Sequence, residues 1–234
     1  QEFSDMQPDP KLAEYLDNAT FVNKDYEICQ FTNLQKHDLN LVLQKRYALL
    51  NWQQGSGKTA AAYHRAKYLL KFRKVRNVII LAPAIAINMT WDPFLKTNSE
   101  RYRVIRTSRD LEDVPEGIFL IVSTSMLGKL KCSIARFVKI RNRKLCLVFD
   151  ESDEITNPNS QRTKYVLCLF RRLKYKLLDT GTTTRNNISE LYSQFELMYN
   201  NSVNMICWCG RIYRENKERE IESESNPYYG EPFP

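Results

Sequence analysis

Two short stretches of this 234-residue chain carry residue types whose spacing suits phosphate chemistry. The first is Gly55-Ser56-Gly57-Lys58-Thr59. It follows the apolar run Tyr47–Trp52 and opens an alanine-rich segment (Ala60, Ala61, Ala62) that predicts a helix. Glycines let backbone N–H groups turn toward an anion with no Cβ in the way. The start of the following helix adds roughly half a positive charge. In such a strand–loop–helix, Lys58 neutralises the β- and γ-phosphates of a nucleotide and the Thr59 hydroxyl ligates Mg²⁺. One position departs from the G-x-x-x-x-G-K-[ST] spacing: Trp52 stands at its first glycine.

The second stretch is Leu145-Cys146-Leu147-Val148-Phe149-Asp150-Glu151, five apolar residues ending in two carboxylates. A buried strand that ends this way holds a cation or a water at the ligand-binding edge of an open α/β sheet. Asp150 is expected to hold Mg²⁺, and Glu151 to orient or deprotonate an attacking water. Lys58, Asp150 and Glu151 are therefore the expected catalytic set, Gly55 to Thr59 the expected ATP cradle, and Thr59 with Asp150 the expected metal ligands. A GTPase reading fails, because Asn23-Lys24-Asp25-Tyr26 precedes the phosphate loop and lacks the final Asp of the base-reading motif.

The elements that must position these groups follow from hydrophobic patterning. Five short, nearly unbroken apolar runs predict strands buried on both faces: Tyr47–Trp52, Val78–Pro83, Ile118–Ser123, Leu145–Asp150 and Lys176–Thr180. Between or after them, Lys58–Phe72, Met89–Thr97, Met126–Val138, Gln161–Leu173 and Ile188–Tyr199 predict helices. That alternation predicts a three-layer α/β domain with a mainly parallel central sheet. Residues 1–30 are expected to be an N-terminal extension with a short amphipathic piece around Lys11–Leu16. Residues 31–200 are expected to form the lobe, and 201–234 a tail or the start of an insertion or linker.

Composition narrows the functional classes. Apolar residues make up 43% and charged residues 26%, a globular balance, and no apolar run is long enough to span a bilayer. No signal peptide is evident, and an intracellular location and no membrane partner are expected. The net charge of +8 suits a polyanionic partner. Six cysteines include no CxxC pair, and Cys207-x-Cys209 lacks the four spaced ligands that a structural zinc site wants. Three basic clusters, Lys71 to Arg76, Arg136 to Lys144 and Arg171 to Lys176, lie near predicted helix C-termini, where cations complement the macrodipole.

From about Phe31 to Tyr199 the chain resembles superfamily-two helicases, specifically the first lobe of the Swi/Snf-type DNA translocases. Asp150-Glu151-Ser152-Asp153, followed by Thr156-Asn157-Pro158-Asn159-Ser160, resembles that family's D-E-A-H and K-N-x-x-S. Leu178-Asp179-Thr180-Gly181-Thr182-Thr183 resembles its L-T-G-T-P, and Asn186-Asn187-Ile188-Ser189-Glu190-Leu191-Tyr192 its N-N-x-x-E-L-W. Leu81-Ala82-Pro83 through Trp91 resembles the segment that touches the DNA backbone, one residue longer than usual, and Val122-Ser123-Thr124 the next phosphate-contacting strand end. Leu34-Gln35-Lys36-His37-Asp38 stands where adenine is read, with Asp38 in place of glutamine. Asp153 and Thr183 replace the family's histidine and proline.

The resemblance implies a RecA-like domain that uses ATP and Mg²⁺. It implies that Thr180, Gly181 and Thr182 couple nucleotide state to the track, and that Trp91, Ser123 and Thr124 lie along a nucleic-acid groove. Double-stranded DNA is the implied partner. Such motors also need a second RecA-like lobe, which closes over ATP and supplies an arginine finger. Nothing after Tyr199 has the length or pattern of that lobe, so the chain is expected to be an N-terminal fragment or to act without the partner half. The rival reading is a non-catalytic nucleotide-binding or docking module derived from a helicase lobe.

Overall fold

A computed structural model of the chain describes residues 6–181 and 191–199. Six strands form one sheet: β3 (Tyr47–Leu50), β4 (Asn77–Ala82), β5 (Tyr102–Ile105), β6 (Phe119–Ser123), β7 (Leu145–Phe149) and β8 (Tyr175–Asp179). Their order is β3-β8-β7-β4-β6-β5, and every pairing is parallel. All strand tips that follow an apolar run therefore point the same way. The phosphate-loop strand β3 and the acidic strand β7 are not neighbours; β8 lies between them.

Parallel pairing with both faces covered explains the unbroken apolar runs. Along β4, Val78, Ile80 and Ala82 face one core cluster while Ile79 and Leu81 face the other. The first cluster takes α3 (Lys58–Lys71) through Ala60, Ala61, Ala62, Tyr63, Ala66 and Leu69. The second takes α6 (Leu127–Ile140), α7 (Gln161–Phe170) and α8 (Tyr192–Tyr199) through Leu130, Ile134, Val166, Phe170 and Leu197, among others. Helices on both faces of a parallel sheet give the three-layer RecA-like architecture expected from the alternation.

Four elements escaped the pattern reading. The edge strand β5 reads Tyr-Arg-Val-Ile and is fully buried only at Ile105, so it shows no apolar run; Arg103 donates to the carbonyls of Asp110 and Glu112, both at 3.0 Å. Strands β1 (Thr20–Val22) and β2 (Ile28–Gln30) form a separate antiparallel hairpin. Helix α2 (Asn33–Gln44) begins with a capping box in which Thr32 and Gln35 satisfy each other's backbone N–H groups. Helix α1 (Pro10–Asp17), by contrast, is the amphipathic piece expected around Lys11–Leu16; it sends Leu12 and Leu16 into the first core cluster, and the Asn40 side chain clamps Asp9 by two hydrogen bonds of 2.7 and 2.8 Å. Residues 6–30 thus pack on the same core as the sheet.

The helix expected at Met89–Thr97 begins earlier and in a different form. Short α4 (Ala84–Ala86) runs into a π-helical turn at Ile87–Trp91 and then into α5 (Asp92–Thr97). A π-turn absorbs one extra residue inside a helix. Trp91 is the last residue of that turn.

Candidate functional site

The phosphate loop is built by two left-handed glycines. Gly55 (φ 80°) and Gly57 (φ 84°) adopt a backbone that side chains with a Cβ rarely take, although at Gly55 there is open space around it. Conformation rather than crowding demands glycine there. The turn is tightened by Ser56, whose N–H and hydroxyl both donate to the Gln53 carbonyl, at 3.2 and 2.6 Å. Gly57 is the residue before α3 and provides no side-chain cap, so the first N–H groups of α3 face the loop without a protein side-chain partner.

Helix α2 braces this loop from behind. The Gln35 side chain donates to the Ser56 carbonyl at 2.8 Å, and the Trp52 indole N–H donates to Asp38 at 3.1 Å. Lys58 reaches back to the Trp52 carbonyl at 3.3 Å, and a Cβ at Gly181 would lie 3.3 Å from its ammonium. The lysine therefore sits between the phosphate loop and the tip of β8.

Across β8, the end of β7 presents the two carboxylates. Asp150 is largely buried, its N–H bonded to the Leu81 carbonyl at 2.9 Å. Glu151 holds a left-handed backbone (φ 55°, ψ 54°) where the chain turns from β7 into a short 3₁₀ turn, Ser152–Ile155. Such strain at a non-glycine residue costs on the order of 1 kcal/mol and is concentrated at functional sites. Burial first, then the charges of Asp150 and Asp153, push the Glu151 carboxyl above its ordinary value; Lys58 and the Gly181 N–H act against them. Gly55, Gly57, Lys58, Thr59, Asp150 and Glu151 line one cleft of about 600 Å³. A groove of about 710 Å³ between α6 and the 108–114 turn holds none of these groups.

Sequence reasoning missed three features here. Trp91 is fully buried and donates its indole N–H to Asp150 Oδ2 at 2.7 Å. It presents no surface to a nucleic acid, so the groove role expected of it is corrected: its ring belongs to the core and its N–H to the acidic strand. Asp179, the last residue of β8, is fully buried, and its carboxyl lies within hydrogen-bonding reach of the Asp150 side chain and the Glu151 backbone N–H. Burial, then the charge of neighbouring Asp150, hold its carboxyl well above the usual range. The signal was present, since Asp179 is a carboxylate closing an apolar run. The third feature is the β1–β2 hairpin, whose Phe21, Asn23, Lys24 and Tyr26 line the same cleft.

The remaining candidates are distributed as follows. Thr180 is buried, its N–H bonded to the Leu50 carbonyl at 3.2 Å, which places Thr180 and Gly181 between the lysine loop and the acidic tip. Thr182, Thr183 and Asn186 to Glu190 lie outside the described residues, as do Cys207 and Cys209. Ser123 ends β6 and Thr124 opens the 3₁₀ turn after it; both are largely buried, the Ser123 hydroxyl contacting that of Ser125 at 2.8 Å, and Ser125 is the exposed hydroxyl of this tip. Two of the basic clusters meet in one groove, lined by Lys139, Arg143, Lys164, Arg171 and Arg172 between α6 and α7.

The donor chemistry fits a magnesium ion. Thr59, Asp150 and Glu151 bring a hydroxyl and two carboxylates into one cleft, and hard oxygen ligands suit Mg²⁺. Among the described residues no three His, Cys, Asp or Glu side chains form a ready-made cage. Magnesium held by one or two carboxylates and by phosphate oxygens does not need one. Among the described residues no helix is long and apolar enough to cross a membrane.

The family described as type III restriction enzyme, res subunit, matches residues 21–185. A search of curated proteins finds no match. Among solved structures, the chain is similar to the Sulfolobus solfataricus SWI2/SNF2 ATPase core in complex with dsDNA, at 18% identity and a TM-score of 0.58, over 74% of this chain and 36% of that one. It is similar to the UvsW helicase from bacteriophage T4 at 15% identity and a TM-score of 0.56, over 82% and 66%. The Sulfolobus solfataricus SWI2/SNF2 ATPase core domain gives 20% identity and a TM-score of 0.53, over 72% and 34%. At these identities the likeness is one of fold. This chain spans about a third to two thirds of the length of those structures.

Proposed function

Because this chain belongs to the type III restriction enzyme res-subunit family and folds as the RecA-like lobe of superfamily-two helicases, we propose that it is an ATP-binding motor lobe acting on duplex DNA. The observation that carries the reading is the single cleft lined by Lys58 and Thr59 from one strand tip and by Asp150 and Glu151 from another, with Gly181 between them. Lys58 neutralises the terminal phosphates, and the N–H groups at the start of α3 cradle them. Thr59 and Asp150 hold Mg²⁺, which when bound screens the charge developing on the transferred phosphoryl group. Glu151 takes the proton of the attacking water. Its raised pKa brings it closer to the range in which a carboxylate works as a base near neutral pH.

DNA runs over the tips of β4 and β6, where Ser123 ends β6 and Thr124 and exposed Ser125 follow it. Thr180, Gly181 and Thr182 link that track to the nucleotide. Efficient turnover requires a second RecA-like lobe supplying an arginine finger, a contribution of roughly a thousandfold or more in related phosphoryl transfer.

The test is nucleotide titration and ATPase rate with and without duplex DNA, using Lys58→Ala as control. Lys58-dependent binding with slow turnover is the expected result. Fast DNA-stimulated hydrolysis by this chain alone would contradict the need for a partner lobe. Binding that ignores Lys58, or no binding, would favour a docking module. The Asp38–Trp52 contact supports that second reading, because it occupies the side chain standing where adenine is read.

A further inference from the structure

Trp91 carries an unusual burden for a core residue. Its side chain is fully buried, yet its one polar atom donates to a carboxylate rather than to a backbone carbonyl, 59 residues away in sequence. The acceptor is Asp150, which shares its surroundings with two further acidic groups, Glu151 and fully buried Asp179. Three carboxyls at one poorly hydrated strand tip repel one another strongly when ionised. A fixed N–H aimed at Asp150 Oδ2 stabilises charge on that residue in particular and fixes its rotamer. It occupies Oδ2, and Asp150 lines the cleft. The indole stands at the end of the π-turn Ile87–Trp91, a local departure from α-helical winding of a kind frequent at functional sites.

We propose that Trp91 is a positioning residue for the divalent cation, orienting the Asp150 carboxylate that would bind it. The inference rests on the reading of Asp150 as a cation ligand. Removing such an outer partner of a metal ligand costs about 10–100-fold in metal affinity. A tryptophan that merely needed an acceptor would, when replaced, change stability and leave cation affinity alone.

The experiment measures Mn²⁺ affinity by electron paramagnetic resonance in the presence of a non-hydrolysable ATP analogue. It compares wild-type chain, Trp91→Phe, Asp150→Asn and the double variant. Trp91→Phe keeps an aromatic ring and loses the N–H. Its Mn²⁺ affinity is expected to fall about tenfold or more, with cation-free analogue binding unchanged within about twofold, a margin far inside the tenfold that 1.4 kcal/mol represents. In the double variant the loss should match that of Asp150→Asn alone, since the tryptophan acts only through the carboxylate.

Equal Mn²⁺ affinity in wild type and folded Trp91→Phe overturns the inference and leaves the nucleotide site standing. A wild-type chain that binds no Mn²⁺ with the analogue overturns both. Should Trp91→Phe not fold, Trp52→Phe/Trp208→Phe leaves Trp91 as the sole indole. Its emission should then change on Mn²⁺ addition, and Asp150→Asn should abolish the change; an unresponsive indole overturns the proposal.

Discussion

Asp38 accepts the indole N–H of Trp52 at 3.1 Å, so two of the residues that depart from the expected motif pattern contact each other. One stands at the first glycine of the phosphate-loop spacing, the other at the position expected to read adenine. The bond ties α2 to the entrance of the loop, beside the Gln35–Ser56 contact one helical turn earlier.

This pairing predicts energetic coupling. Trp52→Phe and Asp38→Ala should each destabilise the chain, and the double variant should lose less than their sum. The Asp38 side chain is 38% exposed, so solvent screening limits the coupling to about 0.5–1 kcal/mol. Denaturant unfolding of the four proteins measures it; strictly additive losses would show that the contact carries no energy.

Lys58 should dominate nucleotide affinity. Lys58→Ala removes a charge-assisted contact of about 1.5–3 kcal/mol, a weakening of roughly 10–100-fold by equilibrium titration. Gly181→Ala is the subtler case. Its new Cβ would lie 3.3 Å from the lysine ammonium, and the flexible end of that side chain can shift. Thermal stability should change little while nucleotide affinity drops a few-fold. A Gly181→Ala protein that binds like wild type would argue against a lysine confined at the β8 tip.

Glu151 makes a pH prediction. Its carboxyl titrates above the ordinary range, chiefly from burial and then from Asp150 and Asp153. As the base it must be ionised, so turnover should be full at high pH and fall as pH drops through that raised value, earlier than for an unperturbed glutamate. Glu151→Gln should retain nucleotide binding, lose about 10²-fold or more in rate, and lose the acid limb of the pH–rate profile. A limb that persists in Glu151→Gln would assign it to another group.

His64 makes a stability prediction away from the site. Its ring is buried on α3 among Phe21, Phe31 and Tyr63, with ring centroids 5.0–6.2 Å away. Burial first, then the charge of Lys67, lowers its pKa from 6.5 to about 4. The folded value lies below the unfolded one, so its contribution is fully present above about pH 6.5 and is lost as pH falls toward about pH 4. The full loss is about 3 kcal/mol. His64→Phe should flatten the pH dependence of unfolding free energy across that window; an unchanged slope would refute the assignment.

Much of the molecule was legible before folding because it is written locally. Five two-sided strands announce themselves as apolar runs, and β3, β4, β6, β7 and β8 lie within two residues of those runs at either end. The phosphate loop is legible because left-handed turns require glycine and the helix after it is alanine-rich. The elements that patterning does not show carry a weaker local signal. Arg103 interrupts β5, an edge strand fully buried only at Ile105, and the capping box of α2 lies in a polar segment with no apolar run to mark it.

Sequence alone determined the residue types at each strand tip, and with them the available chemistry: a flexible cation, a hydroxyl and two carboxylates. Tertiary structure alone decided which of these meet. Sheet order places β8 between the lysine loop and the acidic strand, buries Asp179 against Asp150, and brings Trp91 onto Asp150 from a segment expected to face DNA. Periodicity reports whether a side chain faces a core. The strand that becomes its neighbour depends on pairings between segments tens of residues apart, which no local pattern encodes.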